Sequence, residues 1–232
     1  AVVDTGAART QPRPLNIQYV DYALWQRSDA LVPHLASHRD YWRSALREGE
    51  LPVLELPLDY PRPAVQTFNG DVVRVTIDAS AASRLEAAGH SNGCTLFQCV
   101  LGVWCVVLCR HAGQEEVVVG SPYHGRDVRG TEGLIGYFVN MLALRLVGTP
   151  SGVSSSSSVL VCAREAASGG LRHALLPFQS IVHELLPRRP HDASRNAVFQ
   201  AMIAWGAQAD QRVGAADGSG NVASGHGIRA SR

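Results

Sequence analysis

The chain has 232 residues, a formal charge of +1, 46% apolar and 18% charged residues. That apolar share supports a real core in one domain or two small lobes. The low, balanced charge excludes a disordered chain and gives no electrostatic case for nucleic acid or an anionic membrane as partner.

Five cysteines, Cys94, Cys99, Cys105, Cys109 and Cys162, sit mostly in one apolar segment without a CxxC pair. The odd count and burial pattern read as reduced thiols, and so as a cytoplasmic protein. No histidine lies at ligand spacing inside that segment, so no metal is expected. No signal peptide is visible at Ala1–Arg9, and the apolar run from Thr95 to Cys109 is shorter than a membrane span needs.

In chain order, residues 1–16 read as a linker, rich in Thr, Gln, Arg and Pro up to Pro14. Ile17–Arg27 reads as a helix with Tyr19, Tyr22, Ala23 and Gln26 on one aromatic packing face. Leu31–Gly49 is a second helix, with His38, Tyr41, Trp42, Ala45 and Leu46 recurring at i, i+3 and i+4 and Gly49 as its C-cap. Four prolines between Leu51 and Pro63 force an extended connection. Asp71–Asp78 alternates as a strand does, and Ala79–Ala88 reads as a helix.

Gly89-His90-Ser91-Asn92-Gly93 matches the G-x-S-x-G nucleophile elbow in letters. That motif works where a strand turns sharply into a helix. Helix formers precede it here, so a helix-to-helix turn is the simpler expectation.

Cys94–His111 is a buried helix, apolar nearly all round, with Thr95 placed to cap its start. Glu116–Gly120 is a short core strand that runs into Ser121-Pro122-Tyr123-His124-Gly125-Arg126. A loop off a core strand is a place for function, and His124 is a candidate base, although a lone loop histidine is more often incidental.

Gly133–Arg145 punctuates a turn with Gly133 and Gly136, then alternates from Tyr137 as a strand. Asn140 interrupts its apolar run, and two readings stand. Either its amide bonds neighbouring backbone, or it points into a substrate channel. Val147–Ser158 carries five consecutive serines, which disfavour a helix interior, so a following helix is expected to start late, near Val159, or to fray. Gly169 and Gly170 weaken it further. Val198–Ala204 alternates as a core strand, and residues 206–232 read as a disordered tail.

These segments resemble, in order, the motifs of condensation domains from nonribosomal peptide synthetases. Tyr19, Asp21, Tyr22, Ala23 and Trp25 stand as in the family's fourth motif. Leu56–Pro63 resembles its Leu-Pro-x-Asp-x-Pro-Arg-Pro passage, and Thr95, Leu96 and Phe97 open a matching helix that ends at Arg110, His111, Gly113 and Gln114. Gly120, Pro122, Gly125 and Arg126 fit its Val-Val-Gly-x-Pro-x-x-Gly-Arg segment, and Gly136, Phe138, Asn140 and Arg145 fit the fifth motif. His173, Pro177 and Phe178 fit the sixth, where Ala174, Leu175 and Gln179 replace the family's polar and charged groups. Asp192, Ser194, Arg195, Asn196, Phe199 and Gln200 fit the seventh, from which His191 and Ala197 depart.

The resemblance implies an α/β fold: over residues 17–205, the C-terminal lobe of a chloramphenicol-acetyltransferase-like pair, with a mixed sheet flanked by helices and incomplete at both ends. It implies an amide-forming acyltransferase acting on phosphopantetheine-linked substrates, with an N-terminal lobe and aminoacyl or peptidyl carrier proteins as partners and no cofactor bound by this chain. Substrate-channel candidates are Asn140, Ser121, His124 and Tyr137. The family's catalytic His-His-x-x-x-Asp-Gly motif does not occur in the sequence, so no catalytic residue is assigned and the chain alone is expected to be inactive. The alternative is a noncatalytic module that docks a carrier or partner lobe. Either way, an exposed apolar patch and self-association are expected.

Overall fold

The computed structural model describes residues 15–46, 51–148, 156–185, 192–206 and 228–231. The linker up to Pro14, the Gly49 cap, part of the serine-rich stretch, Leu186, His191 and most of the expected tail lie outside the described residues.

Two helices open the fold. In α1 (Tyr19–Gln26) Asp21 accepts the backbone N–H of Gln18 at 2.8 Å, closing the first turn. In α2 (Val32–Leu46) the buried face is Leu35, Trp42 and Leu46. An extended passage follows, then β1 (Val72–Val75) and α3 (Ala79–Ser91), whose first turn is capped by Asp78 accepting from Ala81 N at 2.8 Å.

α3 runs three residues beyond the expected end and turns directly into α4 (Leu96–Ala112). Gly89 lies inside α3 because a Cβ there would meet Cys99 Sγ at 2.7 Å, where the two helices approach. Ser91 is exposed and its hydroxyl donates to Ala87 O at 3.0 Å. The G-x-S-x-G letters therefore mark a helix–helix turn, with no strand ahead of the serine. Thr95 and Gln98 cap α4 reciprocally, with Gln98 N donating to Thr95 Oγ1 at 3.3 Å and Thr95 N to Gln98 Oε1 at 2.8 Å. Gly113 ends the helix in the left-handed conformation at φ 65°.

The sheet is three-stranded and mixed. Its order is β3 (Asn140–Val147), β2 (Glu116–Tyr123), β4 (Ala201–Met202). β2 and β3 pair antiparallel from Glu116↔Val147 to Tyr123↔Asn140, and β2 pairs with β4 in parallel through Val119↔Ala201 and Gly120↔Met202. β2 continues through Pro122 because β4 stops opposite Gly120, so the proline faces a single strand neighbour. Gly120 is required by Phe199: a Cβ there would stand 2.5 Å from that ring. The expected strand over Val198–Ala204 is reduced to two residues, flanked by buried Val198, Phe199 and Ile203.

α5 (Ser156–Arg172) packs on α4 and β3. It starts at Ser156, ahead of Val159, and runs unbroken through Gly169 and Gly170. Both glycines sit at close crossings. A Cβ on Gly169 would enter the Tyr41 ring, and one on Gly170 would stand 2.8 Å from Leu144 Cδ2. The helix gives up intrinsic propensity there and gains tight packing in exchange. A short α6 (Phe178–Ser180) runs into a π-helical turn at Ile181–Leu185.

The main core is built from Val117–Val119, Leu142, Leu144 and Leu146 of the sheet, Leu101, Cys105 and Leu108 of α4, Ala163 and Ala167 of α5, and Trp42 and Leu46 of α2. Burial pushes the Cys99, Cys105 and Cys109 thiols up, which keeps them unreactive in the core. Four residues of the expected disordered tail, β5 (Ile228–Ser231), pair antiparallel with β1. That departs from the expectation over those residues. β1 is exposed along its length, so the pairing draws on backbone groups and needs no apolar burial. Among the described residues no single helix is long and apolar enough to cross a membrane.

Candidate functional site

The candidate residues gather around the connection from β2 to β3. Gly125 adopts φ 65°, and the space a Cβ would need is occupied by the carbonyl of Phe138, so the two ends of the loop touch. Arg126 cross-braces the interior: Nη1 donates to Thr131 O at 2.6 Å and Leu134 O at 2.9 Å, and the guanidinium lies 4.3 Å over the Phe138 ring. Thr131 is fully buried and its hydroxyl donates to Val128 O at 2.6 Å.

α1 closes over this loop. The Tyr19 ring lies where a Cβ of Gly136 would be, and its hydroxyl donates to Tyr137 O at 2.9 Å. Phe138 packs edge-on against Tyr19 at 5.1 Å and tilted against Tyr22 at 4.8 Å, with Trp25 beside Tyr22. These contacts correct the expected strand start. The carbonyl of Tyr137 is held by Tyr19, Phe138 turns inward, and β3 begins only at Asn140.

Asn140 is saturated. Its Nδ2 donates to Ala174 O at 2.8 Å and Leu176 O at 2.9 Å, and its Oδ1 accepts from Met141 N and Phe178 N, each at 2.9 Å. Those four bonds use the full capacity of an amide. The geometry is that of the backbone-bonding reading, with every polar group of the side chain engaged by the protein. The side chain staples the start of β3 to the segment from His173 to Phe178.

The other channel candidates separate. Ser121 is buried in β2 opposite Leu142. Tyr137 is exposed at 68%, next to Ile135 at 96%. His124 is exposed, and its Nδ1 accepts from Arg126 N at 3.1 Å, which commits that nitrogen to the turn. Tyr123 donates its hydroxyl to Asp127 nearby.

The remaining motif residues fasten backbone, pair with carboxylates or pack. Arg145, 8% exposed, binds Glu116 through Nε at 3.0 Å and Nη2 at 2.7 Å, and donates to Leu46 O from Nη1 at 3.0 Å. Arg195 bridges Asp192 at 2.7 Å and Glu55 at 2.6 Å. Hydrogen bonds from Ser194, with the Arg195 guanidinium behind them, hold the Asp192 carboxyl below the usual carboxylate range. Asn196 Oδ1 accepts from Val198 N at 2.9 Å, and Gln200 Oε1 accepts from Leu54 N at 2.7 Å. Pro177 precedes the first turn of α6, and Phe178 packs on Phe199 at 5.6 Å. His173 stacks on Tyr41, with its carbonyl accepting from Trp42.

Two fasteners were given no such role by the sequence: Gln114, placed there only in the family's helix-ending turn, and Thr131, not named at all. Gln114 donates to Val53 O at 2.9 Å and accepts from Glu55 N at 3.0 Å, clasping the proline-rich passage much as a strand would. Thr131 is the other. Gln114 had a signal in its place after the helix-ending Gly113; Thr131 had none.

With this geometry in view, the sequence matches the description "Condensation domain" over residues 4–221. The chain belongs to the condensation-domain family. It is 41% identical over 192 residues to malpinin synthetase of Mortierella alpina, covering 83% of this chain and 2% of that protein. It is 38% identical over 199 residues to tyrocidine synthase 3 of Brevibacillus parabrevis, covering 86% of this chain and 3% of that one. Among solved structures, the X-domain from teicoplanin biosynthesis superposes with a TM-score of 0.71 at 27% identity, covering 83% of this chain and 43% of that one. A four-domain nonribosomal peptide synthetase bound to AMP and glycine shares the fold with a TM-score of 0.72 at 24% identity, over 85% of this chain and 15% of that one. The chain thus spans a small part of the synthetases it matches and under half of that X-domain structure.

Proposed function

We propose that residues 17–205 act as the C-terminal lobe of a condensation domain. Such a domain joins two carrier-bound thioesters. The acceptor amine attacks the donor thioester carbonyl, a C–N bond forms, the C–S bond breaks, and the amine proton leaves as the carrier thiol is released. The observation that carries this reading is that the family-motif side chains Tyr19, Arg126 and Asn140 hold backbone in place around a loop that joins two core strands. This lobe would supply a rigid wall that positions phosphopantetheine-linked substrates. Base assistance, worth about 10²–10⁴ in rate, would come from a His-His-x-x-x-Asp-Gly lobe. The partners are that lobe and the donor and acceptor carrier proteins, and the setting is the cytoplasm.

A second reading, a noncatalytic docking module, is favoured by one finding: an X-domain in complex with OxyB is among the structural matches, at a TM-score of 0.73 and 26% identity. One experiment separates the two. This chain is joined to an N-terminal lobe bearing the His-His motif and given loaded donor and acceptor carriers, and the product is weighed by intact-protein mass spectrometry. The catalytic reading expects a dipeptidyl carrier that disappears when the second motif histidine is changed to Ala. A folded joined protein that forms no amide yet retains a carrier supports the docking reading instead.

A further inference from the structure

Two imidazoles that the proposed chemistry does not use meet where α2 crosses the segment after α5. The His38 and His173 rings lie 5.0 Å apart at 76°. His173 also stacks flat on Tyr41, with centroids 4.2 Å apart and planes 9° off parallel, and its carbonyl accepts the Trp42 indole N–H at 2.9 Å. One face of α2 therefore grips both the ring and the backbone of His173. The Nδ1 atoms of both histidines are buried without a hydrogen-bond partner. A neutral imidazole tolerates one bare nitrogen, whereas an imidazolium brings a second N–H and a charge that both need partners or water.

Among the described residues the surroundings supply little toward that need: of the two rings the His173 carbonyl serves His38 alone, and the nearby carboxylates are already paired. Arg172, at the end of α5, is the nearest charge in sequence to His173 and works against a second cation there. Arg39, next to His38, is paired with Glu184 of the π-helical turn at 2.7 Å, so that carboxylate is already committed. Asp40 pairs with Arg43 at 2.9 Å. The other titratable groups on these elements are Tyr41, whose phenol burial pushes up, and the exposed His34 and His183.

We propose that the His38–His173 contact is a proton-operated clasp: neutral imidazoles hold α2 against the segment after α5, and protonating either ring opens the contact and loosens that segment from β3. The segment leads straight into the Ala174 and Leu176 carbonyls and the Phe178 amide that Asn140 holds. Opening the clasp therefore acts on the loop anchorage described above.

Burial pushes both imidazoles below the ordinary histidine range. At His173 the neighbouring His38 and Arg172 add to that shift, and at His38 the His173 carbonyl partly opposes it. The folded state then binds fewer protons than the unfolded state. The clasp's contribution is complete above the unfolded value near 6.5 and is lost as pH falls from there through the folded values.

The test is histidine-labelled NMR on the 232-residue chain, combined with amide exchange at Phe178 corrected for intrinsic rates, between about pH 7.5 and about pH 5.5. Both imidazoles are expected to titrate below about 6.5, and Phe178 protection to fall by roughly tenfold per unit of depression. In His38→Phe/His173→Phe that pH-dependent loss should disappear. Titration of both rings at or above about 6.5, or Phe178 protection that does not change with pH in the wild-type chain, overturns the proposal. The wild-type measurements decide the matter even where the double variant does not fold.

Discussion

Two hydrophobic clusters hold the described residues, and they are built differently. The main core joins α2, α4 and α5 to both faces of the sheet through close-packed aliphatic side chains and Trp42. The satellite has three buried residues, Tyr22, Leu134 and Phe138, with Ile17, Tyr19 and Val128 packed around them. Its area is too small to order a loop of this length by burial alone. It is completed by directed bonds, from Arg126 to two carbonyls and from Tyr19 to a third. The contrast is between a core that makes the domain stable and a satellite that fixes where one loop lies.

The contrast is broken or sharpened by substitution. The largest effect is expected for Trp42→Ala. The residue is 1% exposed and donates to His173 O, so the change should cost about 3–5 kcal/mol, read by urea denaturation followed by circular dichroism. Asn140→Ala comes next, at about 2–4 kcal/mol, because it strands two carbonyls and the Phe178 amide. A stability unchanged by that substitution would contradict the backbone-fastening role of Asn140. The smallest effect is expected for Tyr19→Phe, about 0.5–1.5 kcal/mol globally, with a clear rise in protease cleavage within residues 124–139. Should Tyr19→Phe cost as much as Trp42→Ala, the two clusters would be one cooperative unit and the distinction would fail.

What could be read from the sequence follows from the range over which each feature is decided. α4 with its Thr95 cap, the start of β2, and the aromatic face of α1 rest on neighbours within a few residues, and the expectations match the structure; β2 itself runs through Tyr123, three residues past its expected end at Gly120, because β3 pairs with it that far. Features settled by distant partners did not show. Gly169 and Gly170 look like helix breakers until Tyr41 and Leu144 are seen against them. Tyr137–Val139 alternates as a strand does, yet the backbone there is claimed by Tyr19 and by the close approach of Gly125. For the site, the motif positions were legible as a set and backbone bonding was one of the two readings of Asn140, whereas the partners these side chains hold were not legible. The carbonyls that Asn140 holds lie 34 and 36 residues downstream, too far for any local pattern to signal them. Gln114 reaches back 59 and 61 residues to the passage it clasps.

The central claim is that this chain supplies frame and not base. The most direct test incubates the 232-residue chain alone with loaded donor and acceptor carrier proteins and weighs the acceptor carrier. The account predicts no amide above the uncatalysed background, with or without His124→Ala. Amide formation by the chain alone that is abolished by His124→Ala would contradict it and place the base in the loop after β2.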